Sequence, residues 1–282
     1  MSAQLLDGRA TARALAPALR ARVAALPRQP GLSVVIVGED PASQVYVRTK
    51  GRRAKANGFR SDTHILAKDT AQPVLEALID QLNEDDGVDG ILVQMPLPRH
   101  IDSAALLSRI LPEKDVDGFH VINSGLLAQG RPALVPCTPL GVMRMLARYD
   151  INLTGMEAVV LGRSNIVGRP MAMLLEQANA TVTVCHSRTR NAAAHLQRAD
   201  LIVAAVGRPS FVTADMVKDG AVVVDVGINR LDDGSLVGDV DFDGVKDKCR
   251  AITPVPGGVG PMTIAMLMEN TVTASERRQG RA

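Results

Sequence analysis

The chain has two tyrosines and no tryptophan among 282 residues, and one of the tyrosines, Tyr46, stands four positions before Lys50. On a helix that spacing puts ring and amine on one face. A flat ligand stacked on the ring would then lie beside a group able to exchange a proton with it. A half-buried ring next to a solvated charge has the same spacing, so the pair alone does not define a site. Two further segments carry polar groups where open α/β sheets present ligand contacts. GILVQMPLP (90–98) sets Gln94 at the carboxyl end of a strand-like run, and prolines then stop the ladder. KDVDGF (114–119) holds Asp117 in a tight turn, where Asp115 and Asp117 are equally acceptable as turn formers.

A second constellation is GRSNIVGRP (162–170), which follows the apolar run AVVL and precedes the helix-like MAMLLEQAN. Free backbone N–H groups and a helix dipole at such a turn suit a dinucleotide pyrophosphate. The spacing is not GxGxxG, because Ser164 takes the place of the second glycine, and a plain βα turn fits the spacing equally well. The next strand, TVTVC, weighs for a cofactor. Where an NAD enzyme carries an acidic residue, this chain has His186, Ser187, Arg188, Thr189 and Arg190. Arg188 and Ser187, with Arg163, suit a 2'-phosphate, which favours NADP over NAD. AVGRP (205–209) and VDVGINR (224–230) add glycines at further strand ends, as a close-lying nucleotide or an ordinary turn would require.

These residues need elements to hold them. Apolar runs at 33–37, 89–94, 158–161, 181–185, 201–206, 221–226 and 250–253 alternate with helix-like stretches. Several are nearly all Val, Ile, Leu and Ala, as expected of strands buried on both faces of a parallel sheet. The class is therefore α/β. Asp40 as N-cap, Pro41 and Gly58 frame a helix around Tyr46 and Lys50. Leu15, Leu19, Val23 and Leu26 give an N-terminal helix an apolar face, with Pro17 expected to kink it or delay its start. Residues 140–149 and 262–273 read as helices, and the domain boundary is placed near the 136–138 turn.

Composition narrows the function. With 32 basic and 30 acidic residues, the net charge of +2 argues against a surface spread for nucleic acid. No apolar run reaches the roughly 18 residues of a membrane span. Cys137, Cys185 and Cys249 show neither CxxC nor zinc spacing, so no metal is expected and a reducing, cytoplasmic compartment is.

YVRTK, ILVQMPLP, KDVDGF, PCTP, GRSNIVGRP, CHSRT, VDVGINR and ITPVPGGVGPMT, in this order, resemble the methylenetetrahydrofolate dehydrogenase/cyclohydrolase family over essentially the whole chain. The resemblance implies two domains around a cleft: a folate-binding catalytic α/β domain of residues 1–138 plus 262–282, and a Rossmann-like NADP domain with a parallel sheet at 139–261. It also implies a homodimer, tetrahydrofolate substrates and two reactions. These are NADP-dependent oxidation of 5,10-methylenetetrahydrofolate to the methenyl compound and hydrolysis of that product to 10-formyltetrahydrofolate.

By motif, Lys50 resembles the catalytic lysine, Gln94 its partner and Tyr46 the ring that stacks on folate. Asp117 resembles the carboxylate that binds the pterin, and Gly257, Gly258 and Pro261 lie in the loop that closes over the substrate. Gly162, Arg163, Ser164, Ser187 and Ile228 take the cofactor positions, and Arg188 joins them from its charge and its place after the second strand. Gly51 departs from the basic residue usual after the lysine. Burial and nearby Arg48, Arg52 or Arg53 would all lower the Lys50 pKa. A noncatalytic NADP-binding sensor, a dehydrogenase without the hydrolase step, and a shikimate dehydrogenase-like enzyme are the alternatives.

Overall fold

Along the chain run β1 (Gln4–Leu5), α1 (Gly8–Ala24), β2 (Gly31–Val37), α2 (Pro41–Ala56), β3 (Arg60–Leu66), α3 (Gln72–Glu84), β4 (Gly90–Val93), α4 (Ser103–Arg109), α5 (Val121–Ala128) and α6 (Cys137–Arg148). There follow β5 (Glu157–Leu161), α7 (Gly168–Gln177), β6 (Thr181–Cys185), α8 (Ala192–Leu196), β7 (Leu201–Ala204), β8 (Val222–Asp225), β9 (Asn229–Arg230), β10 (Leu236–Val237), α9 (Phe242–Val245), β11 (Ala251–Ile252) and α10 (Val259–Arg278). This computed structural model describes residues 3–38, 41–131 and 133–280, the side chains of residues 41–46 excepted. The proposed N-cap Asp40 lies outside the described residues.

The chain divides into two compact units, Leu15–Cys137 with Ile264–Ala282, and Met1–Ala14 with Thr138–Thr263. In the first, β2, β3 and β4 form a parallel sheet in the order β3-β2-β4. All seven residues of β2 and all four of β4 are buried, which is why their sequences are almost continuously apolar. Leu75, Ile79 and Leu82 of α3 pack with Val35, Ile91, Val93, Leu106 and Ile110 in one core. Buried Asp89 just before β4 accepts from Gly31 N at 3.0 Å, Ser275 Oγ at 3.0 Å and Arg28 at 2.6 and 2.7 Å. It thereby fastens the later part of α10 to the amino ends of β2 and β4.

The second unit is a six-stranded parallel sheet in the order β1-β11-β8-β7-β5-β6. β6 lies on one side of β5 and β7 on the other, so the winding reverses at β5. That reversal is the switch point at which such sheets bind ligands, outside the carboxyl ends of the strands.

Residues up to Ala14 group with the second compact unit, whereas the sequence reading places them with the rest of residues 1–138. β1 pairs in parallel with β11, and Asp7 N donates to Tyr149 Oη at 2.9 Å. A two-residue strand carries no readable period, so the pairing has no local signature. α1 begins at Gly8 and runs through Pro17 rather than starting after it, and Leu15, Leu19, Val23 and Leu26 are only half-buried. β3 was also absent from the expected strands. Its sequence RSDTHIL is largely polar and lines the edge of the sheet, with no fully buried residue.

Candidate active site

Lys50 sits in α2 and is 5% exposed, and its Nζ donates to Gln94 Oε1 at 3.1 Å. Gln94 is held at the end of β4 by its own N–H, which donates to Val35 O at 2.8 Å, and its amide donates to Met95 O at 2.8 Å. The amide oxygen is thus turned to the lysine, and the Gln94 side chain brings no charge. Burial lowers the Lys50 pKa, opposed by the charges of Asp117 and Cys137. The expected help from Arg48, Arg52 and Arg53 is not among the causes; desolvation does the work.

Asp117 is partly buried, and its carboxyl is pushed up to about 6, mainly by desolvation, with Lys50 opposing and Asp115 reinforcing. The two turn aspartates have separate tasks. Asp115 accepts from His120 N at 2.7 Å and Asn123 Nδ2 at 3.0 Å, and so builds the turn that presents Asp117. Gly118, at φ 75°, has no room for a side chain, because a Cβ would stand 2.5 Å from Pro136 N. Lys50, Gln94 and Asp117 are therefore brought together within one unit. Tyr46 lies one turn before Lys50 in α2, and its side chain is outside the described residues.

The sequence reading missed three supports. Lys114 is fully buried and donates to Leu82 O, Asn83 O and Asp85 O at 2.7 to 2.9 Å, closing the carboxyl end of α3. Cys137 Sγ donates to Val116 O at 3.2 Å, and burial raises its thiol pKa well above the usual range. Asn270 of α10 donates to Val116 O and Val135 O, both at 2.8 Å. A lysine in KDVDGF could have been read as a helix cap. Asn270 has no such local signal.

In the second unit the residues proposed for the cofactor follow neighbouring strands. Gly162 has φ 124°, and a Cβ on it would lie 2.2 Å from Ala205 O across the β5/β7 switch point. A Cβ on Gly168 would stand 2.2 Å from Gly162 O. Only glycines let these backbones approach so closely. Ser164 Oγ accepts from Val167 N at 3.2 Å, so its hydroxyl hydrogen points elsewhere, and Arg163 and Ser164 are exposed. Beside them, at the end of β6, His186 N donates to Thr189 Oγ1 at 2.9 Å and Arg188 N to His186 Nδ1 at 3.1 Å. His186 and Thr189 thus shape a turn that leaves Ser187 and Arg188 exposed, with no carboxylate among residues 186–190. These features fit a dinucleotide with a 2'-phosphate. Ile228 is 60% exposed, and a Cβ on Gly260 would lie 3.6 Å from its Cδ1.

Gly257, Gly258 and Pro261 belong to this same unit. Gly8 packs so closely beneath their loop that a Cβ there would stand 1.7 Å from Gly258 O, and Arg9 N donates to Gly257 O at 3.2 Å. The LDGR segment therefore acts as the seat of the PGGVGP loop. Among the described residues no group of His, Cys, Asp or Glu could hold a metal ion.

A parallel sheet with a glycine turn at its switch point, joined in one chain to an α/β unit bearing a buried lysine, defines a two-unit dehydrogenase-type α/β protein. Comparison with known proteins narrows the class. Residues 6–117 match the tetrahydrofolate dehydrogenase/cyclohydrolase catalytic domain, and residues 136–279 match the NAD(P)-binding domain of the same family. A bifunctional protein FolD from Campylobacter curvus is 57% identical over 278 residues, 98% of this chain and 96% of that one. The crystal structure of a bifunctional FolD dehydrogenase/cyclohydrolase from Campylobacter jejuni is 49% identical with a TM-score of 0.96, covering 98% of this chain and 100% of that one. The Trypanosoma brucei FolD structure, complexed with NADP cofactor and inhibitor, is 42% identical with a TM-score of 0.95 and covers both chains fully, 100% of each. This chain belongs to the tetrahydrofolate dehydrogenase/cyclohydrolase family.

Proposed function

We propose that this chain oxidises 5,10-methylenetetrahydrofolate to 5,10-methenyltetrahydrofolate with NADP and then hydrolyses the product to 10-formyltetrahydrofolate. The observation that carries this reading is the buried Lys50, its pKa lowered by desolvation and its Nζ 3.1 Å from Gln94 Oε1. NADP, when bound, supplies the hydride acceptor, and Gly162, Arg163, Ser164, Ser187, Arg188 and Ile228 are the residues proposed to hold it.

Loss of hydride from the methylene carbon leaves a cation shared over two nitrogens and requires no net proton transfer, so positioning is the main demand. Hydrolysis is different. The oxygen of water adds to that carbon, the carbon–N5 bond breaks, N5 takes a proton, and one proton is released overall. Lys50 Nζ, neutral when the water attacks, accepts a proton and can return one to N5. Gln94 orients the amine without supplying a charge that would raise its pKa. Tyr46 is assigned to stacking on the folate, and Gly257, Gly258 and Pro261 to contact with it. The test is reduction of NADP+ by the purified chain given 5,10-methylenetetrahydrofolate; no reduction would contradict the proposal.

Asp117 is assigned to the pterin's amino and ring N–H groups as an ionised acceptor. Asp117→Ala is expected to raise the folate KM about tenfold or more, with a smaller change in kcat. In the wild type, folate KM should rise as pH falls through about 6, where the carboxyl takes up its proton. A KM unchanged in the variant would refute the role.

A homodimer fits the outer edge of the first unit's sheet. β3 is an edge strand, and its exposed Ile65 lines a groove of 610 Å³ with Val74 and Leu78 of α3. Such an edge invites strand pairing, and a second copy supplies a matching strand. Ile65→Lys is expected to shift the chain from dimer to monomer in sedimentation; a wild-type monomer would contradict the assignment. The three buried free cysteines suit a reducing cytoplasm.

A further inference from the structure

One buried carboxylate in the second unit has more partners than a turn requires and lies in no motif that the function has absorbed. Asp239 is fully buried. It accepts from three consecutive backbone N–H groups, those of Val206 at 2.6 Å, Gly207 at 2.9 Å and Arg208 at 2.9 Å. A fourth donor is Asn229 Nδ2 at 2.9 Å. Consecutive N–H groups turned to one point form an anion-binding nest, and here the chain fills the nest with its own carboxylate.

The donors lie on two different segments, the loop after β7 and the start of β9. Residues 206–208 follow β7, one of the two strands at the switch point, and residues 227–229 follow the neighbouring β8. A Cβ on Gly227 would stand 2.3 Å from Asp239 Oδ1, so the backbone on one side of Ile228 rests against this carboxylate. On the other side Asn229 is bonded to it. Ile228, the exposed apolar residue assigned to the cofactor, is thus bracketed by two contacts to Asp239. Asp225, itself buried, completes the brace by accepting from Asp239 N and Gly227 N, both at 2.9 Å.

We propose that Asp239 is a positioning residue for the cofactor, acting through Ile228 and the 206–208 backbone without touching the nucleotide. The inference rests on the NADP reading above. An amide in place of the carboxylate keeps the volume but turns one acceptor into a donor, which leaves an N–H of the nest unpaired and releases the loops.

The test uses the full chain and NADP+ as the probe. Asp239→Asn is expected to weaken NADP+ binding about tenfold or more in calorimetry, about 1.4 kcal/mol. Hydrolysis of added 5,10-methenyltetrahydrofolate without NADP should stay within about twofold of wild type, since that step needs no hydride acceptor. Asn229→Ala, which removes one of the four bonds, should weaken NADP+ binding by a smaller factor, and it decides the matter if Asp239→Asn does not fold. Parallel loss of NADP+ binding and hydrolysis would mark Asp239 as merely structural and overturn the proposal, as would unchanged binding in the variants. A wild-type chain that does not bind NADP+ would instead overturn the cofactor reading, and this inference with it.

Discussion

Replacing Lys50 with glutamine is expected to lower cyclohydrolase turnover by at least about a hundredfold, the usual scale for losing a general acid–base, while reducing dehydrogenase turnover much less. Glutamine keeps a polar side chain but cannot cycle a proton at neutral pH. The site is arranged so that this matters. Lys50 is 5% exposed, its charged form is disfavoured by burial, and its partner Gln94 is uncharged. Hydride removal asks only that the folate be held, and Asp117 remains to hold it. Rates of both reactions measured on the same preparation check the division. Equal losses would show that Lys50 serves both steps alike, and the account of separate demands would fail.

The second large effect is expected at the nucleotide turn. Gly162→Ala places a methyl where the Cβ would lie 2.2 Å from Ala205 O, on a backbone with φ 124°. Both the contact and the dihedral oppose a side chain, and a strained backbone of this kind costs about 1–3 kcal/mol before any contact is counted. Relief requires the β5 turn to retreat from β7 at the switch point. NADP+ affinity should therefore fall by about tenfold or more. Hydrolysis of added methenyl substrate should persist, because Lys50, Gln94 and Asp117 lie in the other unit. Unchanged NADP+ affinity would place the cofactor elsewhere.

How far these residues could be read from sequence depends on the range of the interactions that make them. β2, β5, β7 and β8 were legible because they are buried on both faces over nearly their whole length and their runs are almost continuously apolar. Lys50, Gln94 and Asp117 each sit where local punctuation shows, one turn from a rare tyrosine, before prolines, or in a glycine turn. β3 was not legible, since an edge strand with polar residues carries neither an alternating nor a continuous apolar pattern. β1 is two residues long, and only its pairing with β11 makes it a strand. Asn270 and Asp239 escaped for another reason. Asn270 reaches carbonyls at Val116 and Val135, and Asp239 reaches N–H groups at 206–208, through approaches made by the folded chain. Nothing in MENTVT or VGDVDF announces them.

The central claim is that one chain performs both reactions in sequence, and product balance tests it most directly. The purified chain is given 5,10-methylenetetrahydrofolate with NADP+ or NAD+, and reduced cofactor and methenyl product are followed together before the mixture is acidified to convert 10-formyl product back to methenyl. The account predicts NADP+ reduction well in excess of visible methenyl product. Acid should recover the difference, beyond enzyme-free and Lys50→Gln controls. Reduction with all of the product already visible as methenyl before acid would contradict it.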